Sequence, residues 1–304
     1  MLIGVVGLGS MGKPMARNIA VEGDRVLAYD IDPNAVGQIE GGAIERAADV
    51  AEIARRCELV LVMVWNDSAL RDVIFGERGL LTVDSFEGCV VDLSTTSVAL
   101  AREIGEALSK RGAVFLDGAV IGGGVPAATA GASPIVLSGP KPMFERYLPL
   151  LQRLGKCDYV GTQGAAKIVK IINNLLVGVV TAANAEALSL GIEAGLRLPD
   201  MVDAIRDGPA SSTVLQSYMG RYVAEGRYGD GLIGHSLMAK DLSLASELAS
   251  EVSFAGFFAE FGQQMYLSFA QALGGDKPFP SAFDYFRQAN TNVKYPLLES
   301  THAS

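Results

Sequence analysis

The stretch Leu2-Ile3-Gly4-Val5-Val6-Gly7-Leu8-Gly9-Ser10-Met11-Gly12-Lys13-Pro14-Met15-Ala16 joins an apolar, strand-like run to a helical pattern through a glycine-rich turn. Gly7, Gly9 and Gly12 fit G-x-G-x-x-G, and each glycine has a physical reason. Gly7 permits the tight turn, Gly9 lets the backbone approach a pyrophosphate, and Gly12 allows close packing of helix on strand. Ser10 and Met11 stand where the helix N-terminus offers N–H donors and a positive dipole end to phosphates. The second strand pattern, Arg25 to Tyr29, ends in Asp30, eighteen residues after Gly12. An acid there accepts hydrogen bonds from the adenosine ribose and repels a 2′-phosphate. No Arg or Lys lies between Asp30 and Ile39 to bind such a phosphate, so NAD rather than NADP is the expected cofactor. Asp32 is assigned to the turn Asp30-Ile31-Asp32-Pro33.

Outward from this turn, short β-rich runs alternate with helical patterns up to about residue 160. They are Leu2 to Val6, Arg25 to Ala28, Leu59 to Val64, Cys89 to Leu93, Val114 to Leu116 and Pro134 to Leu137. Such alternation predicts a mostly parallel, doubly wound sheet covered by helices. Beyond Gly164 the periodicity changes to three-to-four residues, over about 165–195, 199–206, 212–225, 235–251 and 255–273, which predicts an all-α second half. The expectation is a Rossmann-type α/β domain, residues 1–163, and an all-α domain, residues 164–304, linked by a long helix. The tail after Gly274, with Pro278, Pro280 and Pro296, is read as irregular.

Composition narrows the function. The chain has 304 residues, 49% of them hydrophobic, enough for two cores. Its 25 Lys plus Arg against 34 Asp plus Glu leave a formal charge of −9, so nucleic acid and anionic membranes are not expected partners. Cys57, Cys89 and Cys157 form no C-x-x-C pair and read as reduced thiols of a cytoplasmic protein. With only His235 and His302, and no ligand spacing around them, no metal is expected. No secretory signal pattern precedes Leu2. The apolar stretch Ile168 to Ala185 is broken by Lys170, Asn173, Asn174 and Asn184, which favours a buried helix over a membrane span.

Lys170 and Asn174 are four apart, one turn apart on the same helical face, and Gly178, Thr181 and Ala185 continue the stripe. A lysine above small residues leaves room for a ligand. Lys167 lies on the same face, and periodicity does not choose between the two lysines.

Four blocks resemble the β-hydroxyacid dehydrogenase family, that of 3-hydroxyisobutyrate dehydrogenase and tartronate semialdehyde reductase. They are Gly7 to Ala16, with its Met-Gly-x-Pro-Met-Ala extension; Asp92-Leu93-Ser94-Thr95-Thr96; Lys170-Ile171-Ile172-Asn173-Asn174; and Lys240-Asp241-Leu242. The resemblance spans about residues 1 to 245. It implies a Rossmann domain, a helical domain built on the long helix, an active site in the cleft between them, and a homodimer or homotetramer.

The K-x-x-N-N register then singles out Lys170, the family's acid/base group. As hydride reaches a carbonyl carbon, charge develops on oxygen, and an ammonium can stabilise it and donate a proton. Partial desolvation would lower the lysine's pKa towards neutrality. Asn174 can hold the substrate hydroxyl or the lysine in line. By the same carry-over Thr95 and Lys240 lie at the nicotinamide end of the cofactor. Ser94, Thr95 and Thr96 precede a helix, so at least one of them is also expected to cap it.

One segment departs from the family. Its substrate loop reads roughly D-A-P-V-S-G-G, whereas this chain has Asp117-Gly118-Ala119-Val120-Ile121-Gly122-Gly123-Gly124, with Ile121 in the serine's place. Gly122 and Gly123 still offer backbone N–H groups to an anion. A hydrogen bond to a charged group is worth about 1.5–3 kcal/mol, so a bulkier or less polar substrate, or another anchor, is expected. Ser211, Ser212 and Thr213 could be that anchor or a helix cap, Arg206 and Arg221 are unassigned cations, and His235 reads as structural. The leading reading is an NAD-dependent oxidoreductase interconverting a small 3-hydroxy acid, or related alcohol, and its aldehyde or keto form. The alternatives are a reductase for a phosphorylated sugar acid or cyclic imine, and a cofactor-binding sensor without catalysis.

Overall fold

The computed structural model describes residues 1–21, 23–39, 42–223 and 232–290, and these fall into two compact units, Met1–Ile171 and Ile172–Ser304. In the first, eight strands form one sheet. They are β1 (Leu2–Val6), β2 (Arg25–Tyr29), β3 (Ile44–Arg46), β4 (Leu59–Val62), β5 (Cys89–Asp92), β6 (Val114–Val120), β7 (Ile135–Ser138) and β8 (Cys157–Gly161), in the order β3-β2-β1-β4-β5-β6-β7-β8. The chain runs outward from β1 to β3, then returns to β4 on the other side of β1, which is the doubly wound topology with its switch point between β1 and β4. All pairings are parallel except β6 with β7. The segment joining those two, residues 121–134, carries only the six-residue α6 (Gly124–Thr129).

Helices α1 (Gly12–Ile19), α2 (Pro33–Gly37), α3 (Val50–Arg56), α4 (Asp67–Phe75), α5 (Val98–Ser109) and α7 (Lys141–Leu151) complete the unit. Side chains alternate across the strands, as the pleat requires. Ile3, Val5, Leu59, Leu61 and Val91 join Met15, Ile19, Leu150 and Leu151 in one core. Val6, Val60, Val62 and Val90 join Ile53, Leu70, Ile74, Leu100 and Ile104 in the other.

The division between the units falls inside α8 (Ala165–Glu193), a helix of 29 residues long and apolar enough to cross a membrane, with mean hydropathy 1.7. The second unit adds α9 (Leu198–Ile205), a π-helix (Val214–Val223), α10 (His235–Glu251), α11 (Phe257–Leu273) and α12 (Ala282–Asn290). Their core gathers Leu188, Met219, Met238, Leu242, Tyr266, Phe269, Phe279 and Phe283.

Several expectations are corrected. Of the segment expected near 212–225, Val214–Val223 is a π-helix and residues 224 and 225 lie outside the described residues; Ser212 Oγ accepts from Leu215 N at the start of the π-helix, so Ser212 is a cap. The tail is not irregular throughout: α12 forms, and Phe283 buries against the core. Pro296 and His302 lie outside the described residues. Nor is α8 buried on all sides, since Ile172, Leu176 and Leu190 are exposed. The stripe Gly178, Thr181 and Ala185 leaves no open room either. A Cβ on Gly178 would meet Leu242 and Met238 at 3.2 Å, its carbonyl accepts from Tyr266, and Thr181 and Ala185 are fully buried.

Candidate active site

The glycine-rich turn follows the geometry its glycines require. Gly7 has φ +91°, and a Cβ there would sit 2.1 Å from the carbonyl oxygen of Met63. A Cβ on Gly12 would sit 1.9 Å from the carbonyl oxygen of Gly7, so any side chain would push α1 off β1. Nothing lies within 4 Å of a Cβ on Gly9, which leaves that backbone open to a ligand. Met11 precedes the first residue of α1 and, with Ser10, lies between Gly9 and that helix. A closed, glycine-only cradle with one open face fits a dinucleotide pyrophosphate.

Asp30 stands at the end of β2 and fastens this turn. Its Oδ2 accepts from Leu8 N at 2.5 Å and its Oδ1 from Asp32 N at 2.8 Å. The carboxylate is therefore held beside the cradle with lone pairs left for a ribose. Asp32 caps α2 by accepting from Asn34 N, the turn role assigned to it. The fold also brings in an arginine that lies outside the 30–39 window: Arg46 on β3 donates to the carbonyl of Pro33.

At the carboxyl end of β5, Ser94 is fully buried. Its Oγ accepts from Val64 N at 2.9 Å and its N–H donates to Asp92 Oδ1 at 3.0 Å. Thr95 is partly exposed and Thr96 is buried. None of the three caps the helix. Because α5 begins at Val98, the cap is Ser97, whose Oγ accepts from Leu100 N and donates to Asp67.

The two lysines of α8 have separate fates. Lys167 is 0% exposed and its Nζ is saturated, donating to Asp92 Oδ2 at 2.7 Å and to the carbonyls of Ser94 at 2.7 Å, Gly118 at 2.8 Å and Asp92 at 3.3 Å. Nearby, Asp117 Oδ1 accepts from Gly164 N at 2.8 Å and from Gln163 at 2.7 Å, while Ser138 Oγ accepts from Ala166 N at 2.9 Å. These buried groups fix the first turn of α8 against the ends of β5, β6 and β7. One turn on, Lys170 is only partly buried and its Nζ donates to the carbonyl of Val120 at 2.7 Å. The ammonium thus reaches the β6–α6 turn, the segment read as the substrate loop.

In that turn Ile121 is partly exposed, packs against the small cluster of Ala119, Val136 and Ala166, and donates its N–H to Pro134 O. Gly122 follows, and Gly123 adopts φ +81°, where a Cβ would also strike that of Ala127 at 2.4 Å. Lys170, Ile121, Gly122 and Gly123 are therefore neighbours, on the same carboxyl edge of the sheet as the glycine-rich turn.

In the second unit, Asn174 is buried, its Nδ2 donating to Asp241 Oδ2 at 2.6 Å and its Oδ1 accepting from Asn173 at 3.0 Å. Lys240 Nζ lies 2.6 Å from Asp241 Oδ1. One carboxylate, 4% exposed, thus orients both candidates. Sequence reasoning gave Asp241 no role, although its place beside Lys240 in the K-D-L segment was the available signal. Arg206 pairs with Asp203, Ser211 Oγ accepts from Gln216, and the Arg221 side chain lies outside the described residues. His235 is fully buried, its Nε2 2.8 Å from Ser281 Oγ, and burial pushes its pKa down to about 4.

A doubly wound sheet with a dinucleotide cradle, and a helix that brings a lysine to the same edge, define a nicotinamide-dinucleotide-binding oxidoreductase. A family profile described as the NAD binding domain of 6-phosphogluconate dehydrogenase matches residues 2–162, and one described as the NAD-binding domain of NADP-dependent 3-hydroxyisobutyrate dehydrogenase matches residues 164–285. The chain is 32% identical to 3-hydroxyisobutyrate dehydrogenase of Pseudomonas aeruginosa over 89% of this chain and 92% of the relative. It is 34% identical to L-threonate dehydrogenase of Escherichia coli K12 over 89% of each. A solved structure of Mycobacterium tuberculosis 3-hydroxyisobutyrate dehydrogenase with L-serine superposes with a TM-score of 0.84 at 26% identity, covering 94% of this chain and 99% of that one. The chain belongs to the β-hydroxyacid dehydrogenase family and is an oxidoreductase acting on a CH–OH group.

Proposed function

We propose that this protein is an NAD-dependent dehydrogenase or reductase that interconverts a small 3-hydroxy acid, or a related alcohol, and its aldehyde or keto form, with Lys170 as general acid/base. The observation that carries this reading is the Lys170 ammonium at the Val120 carbonyl, beside the Ile121–Gly123 turn. Gly7, Gly9, Ser10, Met11 and Gly12 would hold the pyrophosphate, Asp30 the adenosine ribose, and Thr95 and Lys240 the nicotinamide end. When bound, the dinucleotide supplies the hydride acceptor or donor. Lys170 Nζ, uncharged, takes the hydroxyl proton as the carbinol carbon is oxidised; charged, it returns that proton to the oxyanion during reduction. Asn174 presents its amide to the substrate oxygen, held in one orientation by Asp241.

Gly122 and Gly123 offer backbone donors to the substrate's acid group, while Ile121 faces it with hydrocarbon. The substrate is accordingly bulkier or less polar near that group than one held by a serine hydroxyl. The relatives' printed activities, on 3-hydroxyisobutyrate and L-threonate, bracket the substrate class to be tried. A panel of small hydroxy acids, aldehydes and keto acids with NADH and NADPH tests this reading. Turnover on an alkyl-bearing member with NADH preferred is expected, and absence of turnover on every member with either cofactor would contradict it. The buried Cys57 and Cys89 are unpaired, and burial pushes their pKa up to about 11 and about 12, in keeping with inert thiols in a cytoplasmic enzyme.

The self-association implied by the resemblance has a candidate surface in the second unit. Phe254, Phe257, Phe258 and Phe261 are each more than 60% exposed, on a segment whose one charge between Val252 and Gly262 is Glu260. With each Phe able to bury about 150–250 Å², two copies meeting here would bury on the order of 1,000 Å², the scale of a specific interface. A contact with a single charge per copy also suits copies that each carry −9. We expect sedimentation to show a homodimer or homotetramer.

A further inference from the structure

The amino ends of β4 and β5, opposite the edge that carries the glycine-rich turn and Lys170, border a cavity of about 400 Å³ together with the end of α3, the turn into β5 and α7. Small-molecule sites usually span about 300–1,000 Å³. Every residue lining this one belongs to the first unit. Its frame is held by backbone. Cys89 N donates to the carbonyl of Glu58 at 2.8 Å and Val114 N to that of Gly88 at 2.9 Å, and a Cβ on Gly88 would stand 2.6 Å from the Glu58 carbonyl oxygen. Ligands of open α/β sheets bind outside the carboxyl ends of the strands, so the dinucleotide and its substrate make no use of this space.

Several polar groups in the cavity wall lack partners. Tyr147 is only 5% exposed and lines the cavity, yet among the described residues its hydroxyl makes no hydrogen bond. Buried polar groups of native proteins are nearly always paired, and an exception calls for a reason. Burial raises the pKa of this phenol, which keeps it protonated and a donor. Beside it the Arg146 guanidinium lies 5.3 Å from the Tyr147 ring centre and, among the described residues, makes no ion pair. Glu58, whose charge also reaches Tyr147, makes none either, so two opposite charges line one cavity without closing on each other. Glu87 adds a second carboxylate without an ion pair among the described residues. Arg55 and Arg56, at the same rim, are by contrast paired, the first with Asp49 and the second with Glu45 and Glu52.

We propose that this cavity binds a small zwitterion of the α-amino-acid class, its carboxylate held by Arg146 and the Tyr147 hydroxyl and its ammonium by Glu58 and Glu87. A guanidinium meets a carboxylate through two parallel hydrogen bonds, and the phenol adds a further donor. A simple anion would face the two glutamates and a simple cation the arginine, whereas a zwitterion answers both signs. The test uses the intact protein and the proteinogenic L-amino acids, screened one at a time by calorimetry. At least one should bind with a Kd of about 1 mM or below, and should shift the methyl resonance of Met143, which lines the cavity and is assigned with Met143→Leu. On the wild type, the acid lacking the amino group and the amine lacking the carboxylate should each bind about tenfold more weakly or worse. Arg146→Gln should weaken binding about tenfold and Tyr147→Phe about threefold, both with unchanged circular dichroism, while Lys170→Ala should bind as the wild type does. Binding of no amino acid, an unmoved Met143 resonance at saturation, or equal affinity for the deaminated acid would overturn the proposal. Affinity kept in Arg146→Gln and lost in Lys170→Ala would also overturn it, by seating the amino acid in the active site.

Discussion

The first turn of α8 and the turn that follows it carry the same side chain in opposite settings. Lys167 is sealed among one carboxylate and three carbonyls, whereas Lys170, three residues on, stays partly accessible and touches the carbonyl that leads into the Ile121 turn. A buried ammonium is tolerated only when paired and hydrogen-bonded, and that arrangement leaves it no spare valence for chemistry. The difference teaches that environment, not residue type or helical periodicity, separates a lysine spent on structure from one left accessible and proposed for chemistry. Lys167 with Asp92 locks the helix onto the sheet, and the lock places Lys170 at the edge where the cradle opens.

Three changes would break or sharpen that contrast. The largest effect is expected from Lys167→Ala, which strands Asp92 in the core. Removing one partner of a buried pair costs about 3–5 kcal/mol, read as a lowered urea midpoint, and Asp92→Leu added to it should restore part of the loss. Wild-type stability in Lys167→Ala would show that the pair is not a lock. Next, Ile121→Ser gives the Lys170 neighbourhood back a hydroxyl donor. We expect kcat/KM for the more polar 3-hydroxy acids to rise about tenfold, the lower end of a charged-group hydrogen bond, with no change in NADH affinity. The smallest effect concerns His235, remote in kind from both lysines. Its folded pKa of about 4 lies below the unfolded value near 6.5, so the unfolded chain binds the extra proton between those values. Stability from this residue is therefore full above about pH 6.5, falls as pH drops towards 4, and levels off below. His235→Phe should flatten that part of the melting-temperature profile relative to wild type.

Much of this was readable from residues alone. The Gly7–Gly12 turn, the acid closing β2 and the long helix are strong local patterns, because chirality, sterics and apolar periodicity act within a few residues. The roles of Asp117 and Asp241 were not readable, because each is set by partners about 20 to 70 residues away. The short β3 was not recognised, and β8, interrupted by Asp158, gave no apolar run to recognise. The stripe below Asn174 looked open because small residues either admit a ligand or let helices approach, and here Leu242, Met238 and Tyr266 fill the space. The capping role passed from Ser94–Thr96 to Ser97 because Ser94 is consumed by Val64 and the helix starts later.

The most direct measurement is single-turnover reduction by Lys170→Ala across pH, on the substrate found by the panel, with NADH affinity measured alongside. We predict unchanged NADH binding and folding, a rate lower by about 10²–10⁴, the usual contribution of a positioned acid/base, and loss of the pH dependence that the lysine imposes. A variant that binds NADH and turns over at the wild-type rate, with the same pH profile, would contradict the assignment of Lys170.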